Sequence, residues 1–193
     1  MLSYKEKTIM SNNTKVITGV NTRWSYVSVF QPKSINGSTP KYSVSLIVPK
    51  DDKKTLAAIE SAIKAAYDEG AGKLKGNSRS VPALSALKTP LRDGDAERPD
   101  DPAYAKSYFI NANSTQKPGI VDGKLQHIID PEEVYSGVYG CASISFYAYN
   151  TNGNKGIACW LNNLQKLKDG EPLGGHARAE DDFSAAADED FLN

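Results

Sequence analysis

Between Lys15 and Leu167 apolar and polar residues alternate mostly with period two, and one stretch alone changes to helical spacing. Lys15 to Phe30, rich in Val, Thr and aromatics, reads as one long strand or two joined strands. Pro32, Asn36-Gly37 and Pro40 then supply turn chemistry, because Asn-Gly takes positive φ at little cost. Alternation resumes at Tyr42, Val44, Leu46 and Val48 against Ser43, Ser45 and Ile47, and ends at Pro49. Leu56, Ile59, Ile63 and Tyr67 recur at three- and four-residue spacing until Gly70, with Asp51 or Asp52 placed to cap the start of a helix. Ala71 to Asp101 is broken by glycine and proline and reads as a long loop. Tyr104 to Asn111, Val134 to Asn150 and Gly156 to Leu167 read as further strands, the last two joined by the polar turn Thr151 to Asn154.

A mainly β chain with one central helix and long loops suits a small Greek-key β-barrel of the OB type better than a sandwich. With 193 residues, 39% of them apolar, there is material for one good core and little for a second domain. The expected division is a flexible N-terminal arm at 1–13, the barrel at 14–175 and a disordered tail at 176–193. No run approaches the roughly 18 apolar residues that would span a bilayer, so no membrane partner is expected and the cytoplasm is the expected location.

Period two also divides Val134 to Asn150 into unlike faces. Val134, Val138, Ala142, Ile144 and Phe146 share one parity and read as core. Tyr135, Tyr139, Tyr147 and Tyr149 share the other, and rings spaced along a strand beside positive charge suit base stacking, which tolerates any base. Further rings and basic residues are interleaved at Arg23-Trp24-Ser-Tyr26, at Lys41-Tyr42, at Tyr104, Lys106 and Tyr108, and at Lys155 before Trp160, with Lys33 in the first turn. The expected nucleic-acid contacts are therefore Arg23, Trp24, Lys33, Lys41, Tyr42, Tyr104, Lys106, Tyr108, Tyr135, Tyr139, Tyr147 and Tyr149. Trp24 and Phe30 share a parity with Val16 and Val20, which leaves burial as open as contact for both.

The formal net charge of zero hides an asymmetry. All 23 lysines and arginines lie at or before Arg178, whereas Ala179 to Asn193 holds Glu180, Asp181, Asp182, Asp188, Glu189 and Asp190 and no base. A basic body with an acidic tail points to a polyanionic ligand and a segment able to compete with it. Phe183 and Phe191, set among Asp188, Glu189 and Asp190, read as anchors for a protein partner, on a segment too poor in apolar residues to fold alone.

Other chemistry finds little material. Cys141 and Cys159 lie in separate strand-like runs without a paired-ligand spacing, and His127 and His176 stand singly, so neither a metal nor a cofactor is expected. The acids of Asp93 to Asp101 lack calcium-loop spacing, with Arg92 and Arg98 beside them. A phosphate-binding loop and a nucleophile elbow are both missing.

Seven segments carry a family resemblance: Tyr26 to Gly37 (YVSVFQPKSING), Lys41 to Lys50 (KYSVSLIVPK), Leu87 to Asp95 (LKTPLRDGD), Tyr108 to Asn113 (YFINAN), Lys117 to Asp122 (KPGIVD), Val134 to Gly137 (VYSG) and Asn152 to Ala158 (NGNKGIA). Together they resemble a phage and prophage family of OB-fold single-stranded DNA-binding proteins, over roughly Thr14 to Gly175. The resemblance implies a role in phage replication or recombination, no catalysis, and single-stranded DNA as the partner. It also implies an acidic tail of the kind that recruits a phage DNA polymerase or recombination proteins, although here the last aromatic residue is followed by Leu192 and Asn193. A homodimer, a strand-annealing mediator and a virion or tail-assembly protein remain open alternatives.

Overall fold

A computed structural model describes residues 12–34 and 36–174. The tail expected from residue 176, and the arm before residue 12, lie outside the described residues. The chain opens with β1 (Lys15–Ile17), β2 (Arg23–Lys33) and β3 (Lys41–Pro49), followed by helix α1 (Lys53–Glu69) and the short α2 (Ala71–Lys75). Next come β4 (Leu91–Asp93), the single-turn α3 (Gly94–Glu97), β5 (Ser107–Ser114) and β6 (Gly119–Val121). The long pair β7 (Tyr139–Thr151) and β8 (Asn154–Lys168) completes the body.

Five of these strands close a ring in the order β2, β3, β5, β8, β7. Its pairs are antiparallel except β5 with β8, and β7 returns to β2 where Tyr139 lies opposite Arg23. Closure gives each long strand a neighbour on both sides, which is how a small barrel avoids open edges. The three short strands are additions: β1 extends β7, β4 extends β5, and β6 runs parallel to β8. The expected mainly β, OB-type barrel with one main helix is the fold observed.

The alternation of β3 explains its place. Val44, Leu46 and Val48 face the barrel interior at 2% exposure or less. They meet Trp24, Ile110, Ile144, Phe146 and Leu161, all buried in the same cluster. Helix α1 buries Leu56, Ile59, Ile63 and Ala66, and the Asp52 carboxylate caps it by accepting from the Thr55 amide at 3.1 Å. Its end presses so closely on β7 that a side chain at Gly70 would come within 2.2 Å of the Ala148 methyl.

Three expectations need correction. The strand expected at Tyr104 to Asn111 begins at Ser107, because Lys106 takes a φ of 52° and Tyr104 falls in a preceding 3-10 turn. The loop expected from Ala71 to Asp101 contains α2, β4 and α3, each too short for its period to show. Strand β7 begins at Tyr139, five residues later than Val134.

A fourth difference matters most for function. Ser25 pairs with Ser45 and Ser28 with Ser43, so β2 advances three residues while β3 advances two. The extra residue is a β-bulge and reverses the parity of the residues that follow it, up to a second register shift between Ser28 and Lys33. Trp24 and Val29 therefore both point inward although they stand five positions apart, at 0% and 1% exposure.

Candidate nucleic-acid interface

Outside the barrel, β2, β3 and β5 floor a groove of about 740 Å³. Polar side chains stand along its floor beside Val44 and Ala112: Ser28, Ser43 and Asn113 lie side by side across the three strands, and Ser45 lies beside Asn111. At one end Lys33 and Lys41 are direct cross-strand partners, both exposed and both lining the groove. Tyr26 and Arg98 form the opposite wall.

Tyr26 occupies the bulge with a φ of 48° and is 61% exposed. A left-handed tyrosine is costly, and the turn it makes throws the ring out over the groove. The Arg98 guanidinium lies 5.2 Å from the centre of that ring and donates to its hydroxyl at 3.2 Å. It also stands 4.7 Å from the Tyr104 ring and 5.3 Å from Phe109, so three rings hold the one charge at the groove's edge.

Arg98 arrives on a segment, residues 94–105, that covers the remainder of this outer face. Beneath it Ile47, Tyr104 and Phe109 form a small second core, with Tyr104 and Phe109 edge to face at 5.1 Å. Lys50 fastens the cover through Asp93 at 2.7 Å and Asp95 at 2.8 Å, and Asp95 also accepts from the Lys106 amide at 2.8 Å. These hydrogen bonds hold both aspartates below the usual carboxylate range. Arg92 pairs with Glu97, and the Asp101 carboxylate caps Ala103. The acid-rich loop is thus a clasp, and no cluster of three or more metal-ligating side chains occurs among the described residues.

Carboxylates are distributed unevenly. Of the eight strands among the described residues only β4 carries one, Asp93, whereas Lys15, Arg23, Lys33, Lys41, Lys155, Lys166 and Lys168 all lie on strands. Among the described residues lining the groove there is no acid.

A model of the Enterobacter phage Enc34 ssDNA-binding protein family matches residues 14–192. The chain belongs to this family. It is similar to protein p50 of Acyrthosiphon pisum secondary endosymbiont phage 1, with 29% identity over 184 residues that cover 89% of this chain and 96% of p50. Among solved structures it resembles the single-stranded DNA-binding protein of bacteriophage Enc34 in complex with ssDNA, with a TM-score of 0.67 and 27% identity over 84% of this chain and 91% of that one. The fold is shared with gp2.5 of bacteriophage T7, at a TM-score of 0.60 and 15% identity over 91% of this chain and 96% of gp2.5.

Of the contacts expected from sequence in this Enc34-family chain, the structure brings Lys33 and Lys41 into the groove. Trp24 and Tyr104 are corrected: both are fully buried and leave no face for a base. Trp24 donates its indole N–H to Gly140 O at 3.2 Å, and Tyr104 bonds the Ser45 hydroxyl. Arg23 donates to Gly137 O and Glu171 O and lies over Tyr139, so it holds the C-terminal strap at 168–174 to the barrel. Lys106 is exposed beyond the far end of β3, about 30 Å along the strand from Lys41. Tyr42 and Tyr108 share the inward parity and sit half-buried at opposite ends of the barrel, Tyr108 beneath Lys50.

The tyrosine stripe is divided. Tyr135 donates to Gly170 O at 2.9 Å, and Tyr139 lies between Arg23 and Lys168, so the strap occupies both. Tyr147 and Tyr149 stay half-buried at the other end of β7. Phe183, Asp188, Glu189, Asp190 and Phe191 lie outside the described residues. Burial pushes both thiols up, Cys159 the further, which makes neither a ready nucleophile.

Sequence reasoning missed Tyr26, Arg98, Asn111 and Asn113. Tyr26 stood in the interleaved run with Arg23 and Trp24, and only the bulge separates its role from theirs. Lys117, 5.5 Å over the half-buried Phe30 ring, was likewise not singled out.

Proposed function

We propose that this chain binds single-stranded DNA with little sequence preference along the groove over β2, β3 and β5. On this reading it is a non-catalytic coat for unpaired strands in phage replication or recombination, acting in the host cytoplasm. The observation that carries it is the pairing of Lys33 with Lys41 beside a groove whose described lining holds no acid. Like charges directly opposite each other destabilise a strand pair, and a phosphate chain removes that repulsion while releasing its own counterions.

The rest of the groove fits the same ligand. Tyr26 offers a ring and Arg98 a planar cation, the two groups on which bases stack without regard to sequence. The serine and asparagine floor offers hydrogen bonds that adapt to any base edge. Strained backbone such as that of Tyr26 gathers at ligand clamps, where the cost of about 1–3 kcal/mol is offset by function. Membership in the Enc34 family, and the likeness to an Enc34 protein described as complexed with ssDNA, support the reading.

The tail completes the proposal. Pro172, Leu173 and Gly174 share a recess of about 320 Å³ with Tyr26, so the chain leaves the barrel beside the groove. From there the acids of 179–193 compete with DNA for the basic groove, and Phe183 and Phe191, with Asp188, Glu189 and Asp190, dock a phage polymerase or recombination protein.

The test is a titration of the full chain and of a 1–178 truncation with oligo-dT at two salt concentrations. Affinity is expected to fall with salt with a slope of about −0.7 per phosphate neutralised, and the truncation to bind more tightly at low salt. Failure of both proteins to bind oligo-dT in dilute buffer overturns the reading, and weaker binding after truncation overturns the competition by the tail.

A further inference from the structure

The outer face that floors the groove does not end at β5. Strand register carries one row of residues around the barrel: Ser43 lies beside Asn113, Asn113 beside Trp160, and Trp160 beside Ser145. Trp160 is thus a single strand spacing, about 5 Å, past the last residue of the groove floor. Its ring meets Tyr147 edge to face with centroids 6.4 Å apart.

Both rings are half-buried and are members of neither apolar cluster. The indole N–H of Trp160 and the hydroxyl of Tyr147 have no hydrogen-bond partner among the described residues. No carboxylate lies on β5, β7 or β8, and the row ends at Lys15, the cross-strand partner of Ser145. A path free of negative charge, with rings in the middle and a base at its end, is what a strand leaving the groove would follow.

We propose that Trp160 and Tyr147 form a second nucleobase-stacking station, reached by the same single strand as it crosses from the groove over β5 and β8 toward Lys15. The inference rests on the groove reading above and adds a second stop to it. Short oligonucleotides fill the groove alone, and longer ones occupy both.

The protein carries its own probe. It has two tryptophans, and Trp24 is fully buried, so Trp160 is the one whose emission a stacked base can quench. The full chain and its Trp160→Ala and Trp160→Phe variants are titrated with oligo-dT of about 4 and about 16 nucleotides, the limits of an OB-fold site. The expected result is quenching of wild-type emission by the longer oligonucleotide, with an affinity loss in Trp160→Ala of about tenfold for the longer one and much less for the shorter. Trp160→Phe, which keeps a ring, is expected to restore most of that loss. Unchanged emission on binding overturns the station, and so does a Trp160→Ala loss equal at both lengths or a Phe variant no better than Ala. A wild-type chain that binds neither oligonucleotide removes the groove reading itself, and the station with it.

Discussion

At one end of the outer face of β3 and β5, Ile47 and Phe109 are sealed beneath Tyr104 and the cover at 94–105; two cross-strand pairs further along, Ser45 and Asn111 lie at the edge of open groove. The strands and their twist are continuous across this boundary, and the side chains change. A cover over Ile47 and Phe109 gains by removing apolar surface from water, whereas the same cover over Ser43, Asn111 and Asn113 would bury polar groups needing partners it lacks. The cover stops where that balance changes sign, and Arg98 stands at the boundary with a contact on each side: Phe109 and Tyr104 behind it, Tyr26 in front. One half of the face is therefore stability and the other is a binding surface, with a single arginine joining them.

Substitutions on the two halves are expected to separate these roles. Phe109→Ala removes a fully buried ring and is expected to cost about 3–5 kcal/mol in denaturant unfolding, while Asn113→Ala changes stability by less than about 0.5 kcal/mol. Equal effects would erase the distinction. In the groove, replacing Lys33 and Lys41 together by Ala is expected to weaken oligo-dT binding about tenfold, or about 1.4 kcal/mol. The salt slope should become shallower by about 0.7 for each lysine that neutralises a phosphate, and removing the like-charge pair should not lower the melting temperature.

At the boundary, Arg98→Ala is expected to touch both properties modestly: about 1 kcal/mol of stability from lost contacts with the rings, and a several-fold loss of affinity. Arg98→Lys should recover little, because an ammonium cannot lie flat against a ring or a base.

The smallest effect concerns the clasp. Lys50 holds Asp93 and Asp95 below the usual carboxylate range, so their stabilising contribution is present at neutral pH and is lost as pH falls through those lowered values. The melting temperatures of wild type and Lys50→Met are therefore expected to differ at neutral pH and to converge once acidification protonates both aspartates. A gap that widened on acidification would mean that the clasp is not held by these charges.

Much of the fold was legible because its period was strong. The helix at Leu56 to Tyr67 and the alternation of Tyr42 to Val48 each extend over enough residues for one face to declare itself, and both stand where expected. Lys33 and Lys41 could be found because a hairpin with turn chemistry at Asn36-Gly37 brings its two arms together whatever else the chain does. The errors have separate causes. Trp24 pairs with inward Leu46 ahead of the bulge, so the parity it shares with Val16 outweighs its place among basic residues, and a positive φ at Lys106 turns Tyr104 away from its expected surroundings. Tyr135 and Tyr139 lost their open face to a strap from thirty residues further on.

The sequence by itself determined most of the barrel strands, the main helix and the concentration of acids without bases at 179–193, since these follow from local period and composition. Only the tertiary structure decided which rings remain open. Exposure depends on what crosses over a residue from elsewhere in the chain, and a single inserted residue in β2 is enough to exchange the inner and outer sides of a strand.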